Sequence, residues 1–192
     1  MVKIYVVDNG GQWTHREWRT LRDLDVETKI VPNTISFDEL QQEEVDGLVL
    51  SGGAPRIGLE STLGNCDEYL KKASFPILGI CAGHQYMARF FGGDAQPSKI
   101  PEFGKIELHL LRDNEELFQH VPQKSIVWES HNDEVTKLPK DFVHLAESEY
   151  CKIQAMRHTK KPFFGLQFHP EVEHTEYGEQ IFQNFVALCK QY

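Results

Sequence analysis

Phe75-Pro76-Ile77-Leu78-Gly79-Ile80-Cys81-Ala82-Gly83-His84-Gln85 is the stretch on which the chain turns. Ile77 to Ile80 is a short apolar run of the kind that forms a strand buried on both faces. A glycine then stands on either side of a cysteine, as Gly79-x-Cys81-x-Gly83. Tyr86-Met87-Ala88-Arg89-Phe90-Phe91 has apolar residues at helical spacing, and Gly92-Gly93 stops it. A strand that folds back sharply into a helix has no room for side chains beside the turn. The glycines answer that need, as in the elbow that exposes a hydrolase nucleophile. At a helix N-terminus the free N–H groups and the macrodipole favour a thiolate over a thiol. Cys81 is therefore the candidate nucleophile.

Working outward, Val2–Val7 reads as a near-continuous apolar strand, which is the pattern of a parallel sheet covered on both sides. Asp8-Asn9-Gly10-Gly11 is a turn. Gln12–Leu24 is expected to be a helix with Trp13, Trp18 and Leu21 inward and Arg16, Arg19 and Arg22 outward. Strands are expected over Glu27–Pro32 and Asp46–Leu50, with helices over Phe37–Leu40 and Asn65–Lys72. This alternation predicts a doubly wound α/β sheet, open and mostly parallel, flanked by helices. The middle of the chain differs. Lys105–Leu110 alternates as a half-exposed strand does, and short strands follow at Ile126–Trp128, Val143–Ala146 and Ile153–Met156. They predict a smaller antiparallel sheet layered onto the parallel one. Pro162–Phe168 returns an apolar strand to the core, and Glu176–Lys190 closes the chain as an amphipathic helix. No repeat or long linker interrupts residues 1–192, so a single domain is expected.

Composition narrows the partners. A net charge of −9 with no basic cluster argues against nucleic acid and against an anionic membrane surface. No apolar run reaches the length of a membrane span. The chain opens directly on a strand, so no signal peptide is expected. The four cysteines, Cys66, Cys81, Cys151 and Cys189, form no close pair and no Cys-x-x-Cys. That speaks against a disulfide framework or a zinc site and for a cytoplasmic location. His131 and Asp133 have the spacing of a metal pair but no third ligand near them in sequence, so no metal is expected.

Ligands of open α/β sheets bind beyond the carboxyl ends of the strands. Three features fall at such ends. One is Cys81. The second is Ser51-Gly52-Gly53, whose backbone N–H groups suit an oxyanion hole. The third is Phe168-His169-Pro170-Glu171, in which His169 can take the thiol proton and Glu171 can orient the imidazole. A lone His-x-Glu among nine histidines says little. Together with Cys81 at a strand end it reads as a triad.

Gly79-Ile80-Cys81-Ala82-Gly83-His84-Gln85 with Gln167-Phe168-His169-Pro170-Glu171 resembles the class I glutamine amidotransferases. The resemblance implies a flavodoxin-like fold and hydrolysis of L-glutamine to glutamate and ammonia through a Cys-His-Glu triad. Cys81 would be the nucleophile, His169 the acid and base, and Glu171 the orienting carboxylate. Gly53 and Ala82 would supply the oxyanion-hole N–H groups, and Gln85 would help hold the substrate. Asp8-Asn9-Gly10-Gly11-Gln12, Trp128-Glu129-Ser130-His131-Asn132-Asp133-Glu134-Val135 and His169-Pro170-Glu171-Val172-Glu173-His174-Thr175 are similar to the glutaminase part of GMP synthetases. By that likeness Ser130, Asn132 and Asp133 would line the pocket for the α-amino and α-carboxylate groups of glutamine.

The only Ser-Gly-Gly runs on into Ala54-Pro55, not into the Ser-Gly-Gly-x-Asp-Ser phosphate loop of an ATP pyrophosphatase domain, and the sequence ends at Tyr192. The resemblance therefore implies a free-standing glutaminase subunit. Its partner would be an ATP pyrophosphatase subunit that holds ATP and magnesium and aminates XMP to GMP, with no cofactor in this chain. Alternatives stand beside it: a glutaminase subunit for another synthetase (anthranilate or carbamoyl phosphate), a silent regulatory module, and a cysteine hydrolase of related fold acting on other substrates. The intact Cys81, His169 and Glu171 speak against the silent module.

Overall fold

The computed structural model describes residues 1–59 and 62–192. In chain order the elements are β1 (Ile4–Asn9), α1 (Thr14–Asp23), β2 (Ile30–Pro32), α2 (Phe37–Gln42), β3 (Gly47–Gly53), α3 (Cys66–Lys72), β4 (Ile77–Ile80), α4 (Ala82–Phe90), β5 (Asp94–Leu110), a 3-10 turn (Glu116–Phe118), β6 (Lys124–Lys137), β7 (Phe142–Glu147), β8 (Ala155–His158), β9 (Phe163–Leu166) and α5 (Gly178–Cys189).

The apolar runs become the parallel core of the sheet. β2, β1, β3, β4 and β9 lie side by side in that order, all parallel. Successive residues of a strand point to opposite faces, so one run feeds two cores. Ile4, Val6, Val49, Leu78 and Ile80 pack with Leu21 of α1 and Ile181 and Phe185 of α5. Tyr5, Val7, Leu48, Leu50 and Ile77 pack on the other side with Phe37, Leu40, Tyr69, Leu70 and Met87 from α2, α3 and α4.

The antiparallel half is not layered over this sheet. It continues it: β8, β7, β5 and β6 extend the order beyond β9 into one nine-stranded sheet among the described residues. The reason lies at the free edge of β9, whose backbone groups need partners. β8 supplies them, with Ala155 opposite Leu166 and Met156 opposite Gly165. β5 and β6 are much longer than the alternation of apolar residues suggests. They form a two-stranded ribbon interrupted by register shifts between Asp94 and Ala95 and between Pro97 and Glu102. The ribbon brings Trp128–Val135 over the carboxyl ends of β4 and β9. Among the described residues no helix is long and apolar enough to cross a membrane.

Candidate active site

Cys81 sits between the end of β4 and the start of α4, with φ 50° and ψ −103°. A non-glycine residue in this region is strained by about 1–3 kcal/mol and is held there by its surroundings. Its N–H donates to Leu166 O at 2.8 Å, and its carbonyl accepts from Gln85 N at 3.0 Å. The bracketing glycines are needed for close approach. A Cβ on Gly79 would lie 2.7 Å from the Gly83 carbonyl carbon, and one on Gly83 would lie 2.4 Å from Leu50 O. The helix therefore begins at Ala82, directly after the cysteine. The amides of its first turn have no intrahelical acceptor, and they open directly beside the sulfur.

His169 follows β9. Its backbone is pinned on both sides: its N–H donates to Trp128 O at 2.9 Å, and its carbonyl accepts from the Thr175 hydroxyl at 2.7 Å. Nδ1 lies 2.7 Å from Oε1 of Glu171. That carboxylate accepts, so Nδ1 carries the proton, and Nε2 is left on the Cys81 side without a hydrogen-bond partner among the described residues. The Trp13 ring stands edge-on against the imidazole, with centroids 4.5 Å apart. Burial by itself pushes the imidazolium pKa down, and it is the largest single effect. The Glu171 carboxylate and the Cys81 sulfur together outweigh it and hold His169 well above the usual histidine range. Gly52 lies between the Cys81 and His169 side chains. A Cβ there would meet His169 Cε1 at 3.1 Å and Cys81 Cβ at 3.6 Å.

Two hollows meet at Cys81. One, of about 210 Å³, is lined by the turn from Gly10 to Thr14, by Glu17 and by His169 and Glu171. The other is lined by Ala82, Gln85, Ser130, His131, Asn132 and Asp133, with Arg56 on its rim. Gly53, Ala54 and Ser130 border both. The residues expected to hold a substrate thus gather on one side of the sulfur, and the His169–Glu171 pair lies on the other. Residues 5–189 match the family model of class-I glutamine amidotransferases. The chain belongs to that family.

Among its relatives, the A subunit of the glutamine-hydrolysing GMP synthase of Thermoplasma acidophilum is 52% identical over 193 residues, covering 100% of this chain and 95% of that one. The corresponding A subunit of Archaeoglobus fulgidus is 48% identical over 189 residues, covering 98% and 100%. A crystal structure of a Thermoplasma acidophilum protein assigned as the A subunit of GMP synthase superposes with a TM-score of 0.94 over 100% of this chain and 96% of that one, at 52% identity. A glutamine amidotransferase from Thermotoga maritima, 22% identical, shares the fold with a TM-score of 0.73, covering 99% and 83%. This amidotransferase is of the GMP synthase A-subunit type.

Not every site residue of the amidotransferase presents its side chain as an open ligand. Asp133 is 3% exposed and already engaged. Arg56 grips it with Nε to Oδ2 at 2.9 Å and a second nitrogen to Oδ1 at 2.6 Å, and Gly58 N–H adds a bond at 3.1 Å. The Gln85 amide donates to Asp133 O at 2.7 Å and to Gln167 Oε1 at 3.1 Å. Gln167 in turn donates to Cys81 Sγ at 3.5 Å. Ser130 presents its carbonyl to the thiol at 3.9 Å. Two neighbours of the site go unmarked in the sequence, Arg56 and Glu17, and Gln167 stands in a quoted motif without a role of its own. For Glu17 a signal exists, since it stands one helical turn before Leu21 on the inward stripe of α1.

A second Cys-His-Glu set lies behind the site. Glu102, His131 and Cys151 are buried with their ligand atoms within 4.8 Å of one another. Glu102 accepts from Ser148 Oγ at 2.6 Å and from Gln154 Nε2 at 2.8 Å, and its Oε2 pairs with His131 Nε2 at 3.0 Å. These bonds brace the inner face of β6 directly behind Ser130 and Asn132. Burial pushes the Cys66 thiol up to about 12 and raises those of Cys151 and Cys189 as well. All three are held away from the thiolate form. His84 is fully buried, donates Nε2–H to Ile153 O at 3.0 Å, and is pushed down to about 3 by desolvation.

Proposed function

We propose that this chain is the glutaminase subunit of a two-subunit GMP synthetase, with Cys81, His169 and Glu171 as its triad. One observation carries the reading. Cys81 is held at positive φ on the elbow while the open Nε2 of a carboxylate-bound, buried His169 faces it.

In this reading the Cys81 thiolate attacks the side-chain amide carbon of L-glutamine. A C–S bond forms, and the carbonyl oxygen becomes an oxyanion held by the N–H groups of Gly53 and Ala82. The C–N bond then breaks, and the nitrogen leaves as ammonia with the proton from His169 Nε2. His169 next takes a proton from water, which attacks the γ-glutamyl thioester and releases glutamate and the thiolate. Glu171 keeps Nδ1 protonated throughout and stabilises the imidazolium. Gln85, Ser130, Asn132 and Asp133 line the amino acid end, the Asp133 carboxylate being already held by Arg56 and the Gly58 N–H. The ammonia passes to an ATP pyrophosphatase subunit, where ATP and magnesium activate XMP. The relatives named as A subunits of GMP synthase support this acceptor.

The test mixes this chain with a free-standing ATP pyrophosphatase subunit, XMP, ATP, magnesium and glutamine, with ammonium excluded. GMP is expected, and none with Cys81→Ala. Glutamate release without GMP would leave the amidotransferase chemistry and discard the acceptor.

A further inference from the structure

Glu17 is the one acidic residue of α1 turned inward. It is 1% exposed, on the same helical stripe as Thr14 and Leu21. It lines the hollow that contains His169 and Glu171. Two carboxyl oxygens of this hollow, Glu17 Oε2 and Glu171 Oε2, are buried with no hydrogen-bond partner among the described residues. A buried carboxylate oxygen without a donor costs several kcal/mol. Two of them, mutually repelling, cannot both stay charged and unpaired. A single proton placed between them resolves both, because a neutral carboxyl is a donor and an ionised one only an acceptor.

We propose that Glu17 is a fourth member of the catalytic array, a carboxylic acid whose O–H donates to Glu171 Oε2 and fixes the carboxylate that orients His169. It is a positioning residue, acting through Glu171. The assignment rests on the glutaminase reading above. The charged and titratable groups facing Glu17 fit it. Burial is the largest influence and favours the neutral acid, Glu171 adds to it, and Asp8 at the end of β1 adds a little more; His169 and the Gly52 N–H act the other way without reversing it. The Gly52 amide is one residue from the proposed oxyanion donor Gly53, so Glu17 also ties that loop to α1.

The test compares Glu17→Gln with Glu17→Leu in the reconstituted enzyme, reading glutamate release against pH and the rate of Cys81 alkylation by iodoacetamide. The amide of Gln keeps a donor toward Glu171; Leu fills the space without one. Glu17→Leu is expected to lower kcat roughly tenfold or more with KM for glutamine little changed, and Glu17→Gln to rescue most of that loss. As pH rises, Glu17 of the wild type ionises, loses its donor and repels Glu171, so activity falls. In Glu17→Gln that alkaline limb moves to higher pH. Wild-type kcat in Glu17→Leu, or a loss in Glu17→Gln as deep as in Glu17→Leu, overturns the proposal. If Glu17→Leu does not fold, the limb decides: an unmoved alkaline limb in Glu17→Gln overturns it. A wild type that releases no glutamate at all refutes the glutaminase reading instead, and alkylation of Cys81 still reports whether the array is coupled.

Discussion

Glu171 Oε1 accepts the Nδ1 proton of His169 at 2.7 Å, with 0% of the Glu171 side chain and 6% of the His169 side chain exposed. Such burial would discharge an unassisted imidazole. Two neighbours prevent it: the Glu171 carboxylate bonded to Nδ1 and the Cys81 sulfur nearby. Their contributions are separable. In Cys81→Ala the sulfur is gone while Glu171 remains, so the titration midpoint of His169 is expected to fall below its wild-type value. Ring-proton NMR of the two proteins across about pH 5–10, a range that brackets the ordinary histidine value, reads this directly. The same shift has a stability consequence. A histidine whose folded pKa is raised stabilises the fold fully below its unfolded pKa of about 6.5 and loses that contribution as pH climbs through the folded value. Cys81→Ala is therefore expected to narrow the pH window over which melting temperature declines on the alkaline side of neutrality. An unmoved His169 midpoint would mean that the thiol contributes nothing to the pair.

How much of this is legible in the sequence depends on whether a residue's role follows from its own type. Gly79 and Gly83 are readable because only glycine fits a strand and helix in contact, and the His169-x-Glu171 spacing is readable because it places imidazole and carboxylate within reach. The start of α4 is readable only from the Cys81 turn. Ala82-Gly83-His84-Gln85 has no apolar period and contains a poor helix former, and it is helical because Gly79 packs on Gly83. The apolar pattern marks only Ile126–Trp128 of β6, which spans Lys124–Lys137. It alternates in burial, with Ser125, Val127, Glu129, His131, Asp133 and Val135 inward, but four of those six are polar, so hydropathy hides the period. Glu17 is masked by Trp13 and Trp18, large apolar residues that draw the predicted inward face around the helix. Trp13 precedes α1 and lies against His169 instead.

Glu129 gives the second prediction. Its side chain is fully buried on β6, His131 Nε2 stands 3.6 Å from Oε2, and neither oxygen accepts a hydrogen bond among the described residues. Burial, with the nearby Glu102 carboxylate next, pushes its pKa well above the carboxylate range. The sign follows from proton binding. The folded chain keeps a proton that the unfolded chain releases near about pH 4.3, so stability is present below that pH and is lost as pH rises through the raised folded value. Glu129→Gln has the same shape and nothing to ionise. Its melting temperature is expected to exceed that of the wild type at about pH 8, and the gap to close by about pH 4. Thermal unfolding at the two pH values checks it, and an equal gap at both would show that ionisation is not the cause.

Two glycines of the elbow region separate packing from chemistry. A Cβ on Gly83 meets the backbone of β3, 2.4 Å from Leu50 O, and neither partner can turn away. Gly83→Ala is expected to cost about 1–3 kcal/mol or more of stability through overpacking. On Gly52 the added Cβ meets side chains, 3.1 Å from His169 Cε1 and 3.6 Å from Cys81 Cβ. The imidazole can give way by a few tenths of an ångström, and the fold survives. Its Nε2 then leaves the line to the sulfur; a misplacement of about 1 Å costs about 10²-fold in rate, and one of a few tenths costs severalfold. Gly52→Ala is thus expected to melt close to the wild type yet lose most of its glutaminase rate, while Gly83→Ala melts well below it. Melting temperature and kcat measured on the same two preparations give the answer. A Gly52→Ala protein with unchanged kcat would place the working position of His169 away from the one it occupies between Gly52 and Trp13.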